Sequence, residues 1–412
     1  MESRHARGAC VGIREPAKRA LALTPGDGRA QIASMHASTM IRRTRVEVDL
    51  AAIVDNARAV RALTGALVYA VVKADGYGHG AIEVARALAR ARAAAGFAVS
   101  LVEEGVALRD AGIEAPVLVM GPSQHGGEDE MVAARLTPVI SCEEELAAFA
   151  AVARRRGGLD AHLKVDTGMG RLGVPLASAG ELAREAAAAG VRLVGLMTHL
   201  ACADTDEPAD PASMTRAQLG RFAEAERAVA AAGAPLRVRH AANSSAALMF
   251  PPARFDLVRP GIAIYGNGRW PAGAAPVQAM RLVSEVAQVR AIEEGGSVGY
   301  GAAWRATRPS RVAVLPIGYA DGLPRRASGR AEVAIRGRRV PLVGLISMDI
   351  AIADVTDVPG VTAGDAAVLL GRAGEGTSIS VAEYAAWSGL TEYEVMCGMS
   401  KRVPRTYVGD PP

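Results

Sequence analysis

The chain has 412 residues, half of them hydrophobic, which is enough for two domains or a large barrel plus one domain around a sizeable core. Its formal net charge is only +4, and the first 39 residues supply +3 of it (six Lys/Arg against three Asp/Glu), so the body is close to neutral and gives no argument for nucleic-acid binding. No apolar run reaches membrane-spanning length, and Cys10, Cys142, Cys202 and Cys397 form no C-x-x-C pair, which argues against a cysteine-held metal or a disulfide framework and for a reducing cytoplasm.

Residues 1–40 are rich in Arg, Gly and Ala without clear periodicity. They are expected to be a disordered extension, or sequence upstream of a later start at Met35 or Met40. Their apolar patch, 20–23, is too short for the core of a signal peptide. From about residue 46, short β-rich runs alternate with helical stretches. Strands are expected at 67–73, 96–100, 115–121, 137–141, 161–167, 192–199, 237–243 and 256–259. Helical stretches such as 81–95, 143–156, 179–190 and 217–233 lie between them, and several stop at a glycine, as a helix C-cap prefers. Eight βα alternations point to a (β/α)8 barrel of the TIM type over 41–275, with a doubly wound open sheet as the alternative. Over 276–412 the texture changes to alternating runs (281–289, 311–317, 331–335, 340–352) separated by Gly/Pro/Asp turns, with one late helix at 380–390. This reads as a mostly antiparallel β domain.

The first barrel strand carries the most informative segment, Val68-Tyr69-Ala70-Val71-Val72-Lys73-Ala74-Asp75-Gly76-Tyr77-Gly78-His79-Gly80. A lysine at a strand end commonly just extends its amine to water. Here three glycines follow, allowing positive φ or close backbone approach, with Asp75, Tyr77 and His79 among them. An amine kept from water there favours the neutral form that condenses with an aldehyde. Other chemically able residues gather at later strand ends: Asp166 to Arg171 after the fifth, His199 after the sixth, Asn243-Ser244 after the seventh, Arg259-Pro260-Gly261-Ile262 after the eighth. Barrels commonly bind phosphate in the loops after strands seven and eight. The Ser244 hydroxyl and the Gly261 and Ile262 N–H groups suit that role. A phosphate site opposite an aldehyde-binding lysine suggests pyridoxal 5'-phosphate (PLP).

The lysine segment resembles the cofactor motif of alanine racemases, and further motifs of that family are spread from about Val46 to Tyr407. The segment Leu163-Lys164-Val165-Asp166-Thr167-Gly168-Met169-Gly170-Arg171-Leu172-Gly173 is similar to the family's second signature. The resemblance implies that Arg171 holds the catalytic tyrosine and the substrate carboxylate, and that Lys164 is often carbamylated and orients that arginine. It implies His199 packed on the cofactor ring and Arg259 donating to the pyridine nitrogen. Gly299-Tyr300-Gly301-Ala302 resembles the family's tyrosine motif, making Tyr300 the second base, supplied by the partner subunit of a homodimer, with Lys73 the first. Tyr319 resembles an entrance residue, and Met348-Asp349 the pair lent across the interface to the carboxylate pocket. Tyr77 and Tyr393 match tyrosines at the phosphate and the gate. Two departures stand out: the long N-terminal extension, and Met396 where proline is common.

The expected activity is PLP-dependent interconversion of L- and D-alanine by two bases, supplying D-alanine for peptidoglycan. A serine, lysine or broad-specificity racemase is the near alternative. A decarboxylase of the same two-domain plan is another, but it is not expected to carry the Met-Gly-Arg-Leu-Gly and Gly-Tyr-Gly motifs. A non-catalytic PLP carrier built from a barrel alone has no use for a β domain with Tyr300.

Overall fold

A computed structural model describes residues 41–124 and 126–409, so the expectation for residues 1–40 lies outside the described residues. Eight parallel strands form the barrel: β1 Leu67–Val71, β2 Gly96–Val99, β3 Val117–Val119, β4 Thr137–Ile140, β5 Leu159–Asp166, β6 Val191–Met197, β7 Val238–His240 and β8 Leu257–Val258. They pair in the order β8-β1-β2-β3-β4-β5-β6-β7. The ring is drawn together between β7 and β8 by the Asp256 N–H on Arg239 O (3.2 Å) and the Arg259 N–H on Ala242 O (3.0 Å). β2 and β3 are buried at every position, which explains why they read as unbroken apolar runs: helices cover one face and the barrel interior the other.

The helix Leu50–Thr64 shows how local chemistry sets an element. The Asp49 side chain accepts the Ala52 N–H at its start, Gly65 closes it with φ 68°, and Leu50, Ile53, Val54, Ala57 and Val60 face inward at helical spacing. It packs between Ala81–Arg90 and Ser244–Met249. It therefore fills the place in the helical ring after β8, although it comes first in the chain.

The second domain is mostly antiparallel. Its larger sheet runs Arg338–Pro341, Glu332–Ile335, Ala366–Arg372, Met280–Glu285, Arg45–Asp49, Arg405–Val408. The last pair is parallel. Arg45–Asp49 was on the barrel side of the boundary read from sequence; its pairing puts it in this sheet, with Val46 and Val48 buried and Glu47 turned to Arg45 and Arg281. The run 281–289 divides. Met280–Glu285 joins the larger sheet, and Gln288–Ile292 joins a smaller one with Ser310–Leu315 and Ala351–Asp354. The run 340–352 is strand only at its ends, and Met348-Asp349 lies in the loop between. The late helix spans Val381–Ser388, capped by a Ser380–Glu383 box and by Gly389. A further helix, Glu392–Cys397, follows it and carries Tyr393. Both domains contribute to one continuous apolar core. Among the described residues no helix is long and apolar enough to cross a membrane.

Candidate active site

A cavity of about 660 Å³ opens at the C-terminal ends of the barrel strands. Lys73, Tyr77, Lys164, Arg171, His199, Ser244, Arg259, Gly261 and Ile262 line it from the barrel, and Tyr393 and Cys397 from the second domain.

Lys73 follows β1 and is half-buried, less withdrawn from water than its position suggested. The backbone after it turns left-handed for five residues, with φ of 52° at Ala74, 52° at Asp75, 63° at Gly76, 53° at Tyr77 and 78° at Gly78. The next two motif glycines answer to close approach. A side chain at Gly78 would strike the Met396 carbonyl oxygen, and one at Gly80 the Tyr407 hydroxyl. Around the turn the rings form a file: His79 stacks on Tyr265 (centroids 4.3 Å apart), Tyr265 meets Tyr77 (5.2 Å), and Tyr77 meets Tyr393 (5.9 Å). The Tyr265 hydroxyl donates to Val71 O at 3.1 Å, which fixes the file to the end of β1. Burial raises the phenol pKa of Tyr77 and Tyr393, so both remain neutral hydroxyls.

After β5 the Asp166 carboxylate gathers the N–H groups of Gly168 (2.8 Å), Met169 (2.8 Å) and Gly170 (2.9 Å). Arg221 donates to Thr167 O at 2.7 Å from the helix Met214–Ala231. This tight loop delivers Arg171 to the cavity. Lys164, one turn of the β5 pleat earlier, is buried. Burial first, then the charges of Arg171 and Arg259, bring its pKa down to about 8.

Arg259 is almost fully enclosed. One terminal nitrogen donates to Thr198 O (2.8 Å) and Ala241 O (3.1 Å), and the other to His240 Nδ1 (2.6 Å). A guanidinium has no acceptor, so His240 Nδ1 must accept. His240 Nε2 then carries the proton toward His162 Nδ1, 2.8 Å away. Burial lowers both imidazole pKa values, to about 4 for His162, so the relay is neutral. Burial also lowers Arg259, to about 10, which still leaves it protonated at neutral pH. His199 is held neutral by burial and by Arg259, Arg171, Lys164 and Lys73, with a pKa of about 3.

At the seventh and eighth strand ends, Ser244 Oγ accepts the N–H groups of Gly261 (2.9 Å) and Ala263 (3.2 Å). The loop is thus closed on the serine, and Ile262 N–H has no hydrogen-bond partner among the described residues.

Four expected site residues stand apart from the cavity. Tyr300 (69% exposed), Tyr319, Met348 and Asp349 lie on the surface of the second domain. Tyr319 and Met348 are near one another, since the N–H groups of Tyr319 and Ala320 donate to Ser347 O and Met348 O at 3.0 Å each. Arg402 pairs with Asp349 at 2.7 Å. Sequence reasoning missed His162 and His240 behind Arg259, and Cys397 in the wall. His162 had one signal: in a strand it lies two residues from Lys164, hence on the same face.

Models of two family domains match the chain: "Alanine racemase, N-terminal domain" over residues 48–268 and "Alanine racemase, C-terminal domain" over 279–407. The chain belongs to the alanine racemase family. It is 45% identical over 383 residues to the alanine racemase of Sorangium cellulosum (89% of this chain, 99% of that one) and 44% over 378 to that of Symbiobacterium thermophilum (90% and 98%). Its fold is similar to the crystal structure of the alanine racemase of Bartonella henselae with covalently bound pyridoxal phosphate (TM-score 0.80, 27% identity, 89% and 99% covered). The alanine racemase of Streptomyces coelicolor A3(2) is also similar (TM-score 0.83, 36%, 90% and 99%).

Proposed function

We propose that this chain interconverts L- and D-alanine with PLP held in the barrel cavity of a cytoplasmic homodimer, supplying D-alanine for peptidoglycan. The observation that carries the reading is convergence, within a member of this family, of an amine, an anion cradle and a buried guanidinium on one cavity. The residues fit the cofactor. Lys73 offers the amine. Ser244 offers its hydroxyl hydrogen and Ile262 its N–H to a phosphate, while the Gly261 N–H holds the serine in place. Tyr77 and Tyr393 flank that side with neutral hydroxyls. Arg259 has three of its five N–H groups committed, which leaves Nε–H and one terminal N–H to donate to a ring nitrogen. The neutral, half-buried His199 offers a flat face. When bound, the cofactor supplies an aldehyde that joins the substrate amine and a ring that draws electrons from the α-carbon.

Lys73 then carries the proton on one face of the α-carbon. Tyr300 of the partner subunit carries it on the other, with Arg171 holding its hydroxyl. Arg171 also holds the substrate carboxylate, oriented by Lys164 in a carbamylated form, with Met348 and Asp349 of the partner subunit closing that pocket. Tyr319 stands at the entrance. Arg259 donates a hydrogen bond without giving up its proton, so it limits how far charge leaves the α-carbon. That limit favours return of the proton to the α-carbon over transamination.

The test is conversion of L-alanine to D-alanine by the purified chain, with serine and lysine as competing substrates. Lys73→Ala and Tyr300→Phe should each be inactive alone. Co-expressed, they should recover about a quarter of wild-type activity, because half of the dimers are mixed and each mixed dimer has one intact site. No recovery in demonstrably mixed dimers would remove the shared site, and borohydride fixing the cofactor to a lysine other than Lys73 would remove the whole reading.

A further inference from the structure

The left-handed stretch after Lys73 includes three residues that are not glycine, Ala74, Asp75 and Tyr77. Such backbone is unfavourable for L-residues and persists only where its surroundings over-determine it. Part of the bracing is local. The His79 Nδ1–H lies 3.0 Å from both Gly76 O and Tyr77 O, and Asp75 Oδ1 accepts the Ala81 N–H at 2.9 Å. On the far side Arg405 donates to Gly78 O at 3.0 Å.

The end nearest the lysine is held by one side chain from the next βα unit. Glu104, in the first turn of the helix Val102–Asp110, accepts the Ala74 N–H on Oε1 at 2.6 Å. Its Oε2 accepts the N–H groups of Ser100 (2.8 Å) and Leu101 (3.0 Å). Those amides follow β1 and β2, which are neighbours in the barrel. A single carboxylate therefore ties the residue after Lys73 to the start of the helix that follows β2. Only a group that accepts on both oxygens can do this; a carboxamide accepts on one and presents N–H groups on the other.

We propose that Glu104 is a positioning residue for Lys73: it satisfies the Ala74 amide and so holds the left-handed turn that aims the amine into the cavity. The inference rests on the reading of Lys73 as the cofactor lysine. In Glu104→Gln the carboxamide oxygen faces the two donors at Ser100 and Leu101, and the link to Ala74 is lost. Amide exchange over residues 73–80 of the purified full chain should then quicken roughly tenfold, the usual effect of losing one charge-assisted hydrogen bond. PLP should be lost faster on dialysis, and kcat for alanine should fall with KM unchanged. Wild-type exchange over 73–80 together with wild-type cofactor retention in E104Q would overturn the proposal. Should E104Q not fold, the Ala74 amide of the wild-type chain decides: slowed exchange there supports the proposal and unprotected exchange overturns it. Borohydride labelling of another lysine, with the Ala74 amide still protected, would fail the cofactor reading while leaving the brace intact.

Discussion

Lys164 offers the most direct physical test of the cavity's electrostatics. It is buried beside Arg171 and Arg259, with Glu145 and Asp166 as the counter-charges, and its pKa falls from 10.5 to about 8. A depressed lysine pKa means that the folded state releases a proton more readily than the unfolded state. Below about pH 8 both states are charged and the fold bears the full cost, about 3 kcal/mol at 1.36 kcal/mol per tenfold. As pH rises from about 8 to 10.5 the folded state is neutral and the unfolded state still charged, so stability climbs and the cost disappears. Replacing Lys164 by methionine keeps the bulk and removes the charge. In buffers freed of carbon dioxide, Lys164→Met should be more stable than wild type by about 3 kcal/mol at pH 7 in urea unfolding, and the gap should close by pH 10.5. Bicarbonate should narrow it at neutral pH, because a carbamate turns the cation into an anion between two guanidinium groups. If the substitution destabilises at pH 7, or if the gap does not change with pH, the lysine is not a poorly solvated cation and the argument for its modification goes with it.

Other consequences concern the turn, the ring contact and the histidines. Gly78→Ala places a methyl group against the Met396 carbonyl at a φ of 78°, and should cost at least about 2 kcal/mol in urea unfolding while loosening PLP; an unchanged midpoint would mean that the helix Glu392–Cys397 does not rest on the lysine turn. Arg259→Glu should slow racemisation and raise pyruvate formed per turnover, since a carboxyl group can share its proton with the ring; unchanged racemisation without extra pyruvate refutes the contact. His79 and His162 are buried neutral, with pKa values lowered from 6.5 to about 4, and His199 to about 3. Between pH 6.5 and those values the unfolded chain binds the extra protons, so each adds about 1.4 kcal/mol of stability loss per pH unit on acidification. A urea midpoint equal at pH 7 and pH 5 would contradict that burial.

β2 and β3 were legible because each is a short apolar run, and burial on both faces leaves no period to misread. What failed was anything set by a distant partner. Nothing local distinguishes Arg45–Asp49 from a first barrel strand. Its alternation fits any half-buried strand, and only pairing with Met280–Glu285 and Arg405–Val408 assigns it. The break at Val286 that sends one apparent strand into two sheets is equally silent, since no Gly or Pro marks it. In the site, Lys73, Arg171 and Arg259 could be picked out by type and place. His240 could not, because its meaning lies in touching Arg259, and His162 had only its shared strand face with Lys164, since it reaches Arg259 through His240. Glu104 reads in sequence only as an acidic residue in a helix's first turn.

The glycines of the lysine motif show where this limit falls. Sequence says that Gly78 and Gly80 permit close approach or positive φ, and both hold. It does not say what approaches. The answer lies at the other end of the chain. Met396 O sits against Gly78, the Tyr407 hydroxyl against Gly80, and Arg405, 327 residues from Gly78 in sequence, donates to its carbonyl while binding Met399 O, Ser400 O and Val403 O. The same C-terminal segment brings Tyr393 and Cys397 into the cavity wall. The barrel supplies Lys73 and the loops bearing Ser244 and Gly261, but the backbone bearing the amine is shaped against the second domain. A barrel fragment lacking residues 276–412 should therefore lose the geometry of the Lys73 turn. In such a fragment, exchange over residues 73–80 should approach that of an open loop even where β1 to β8 stay protected.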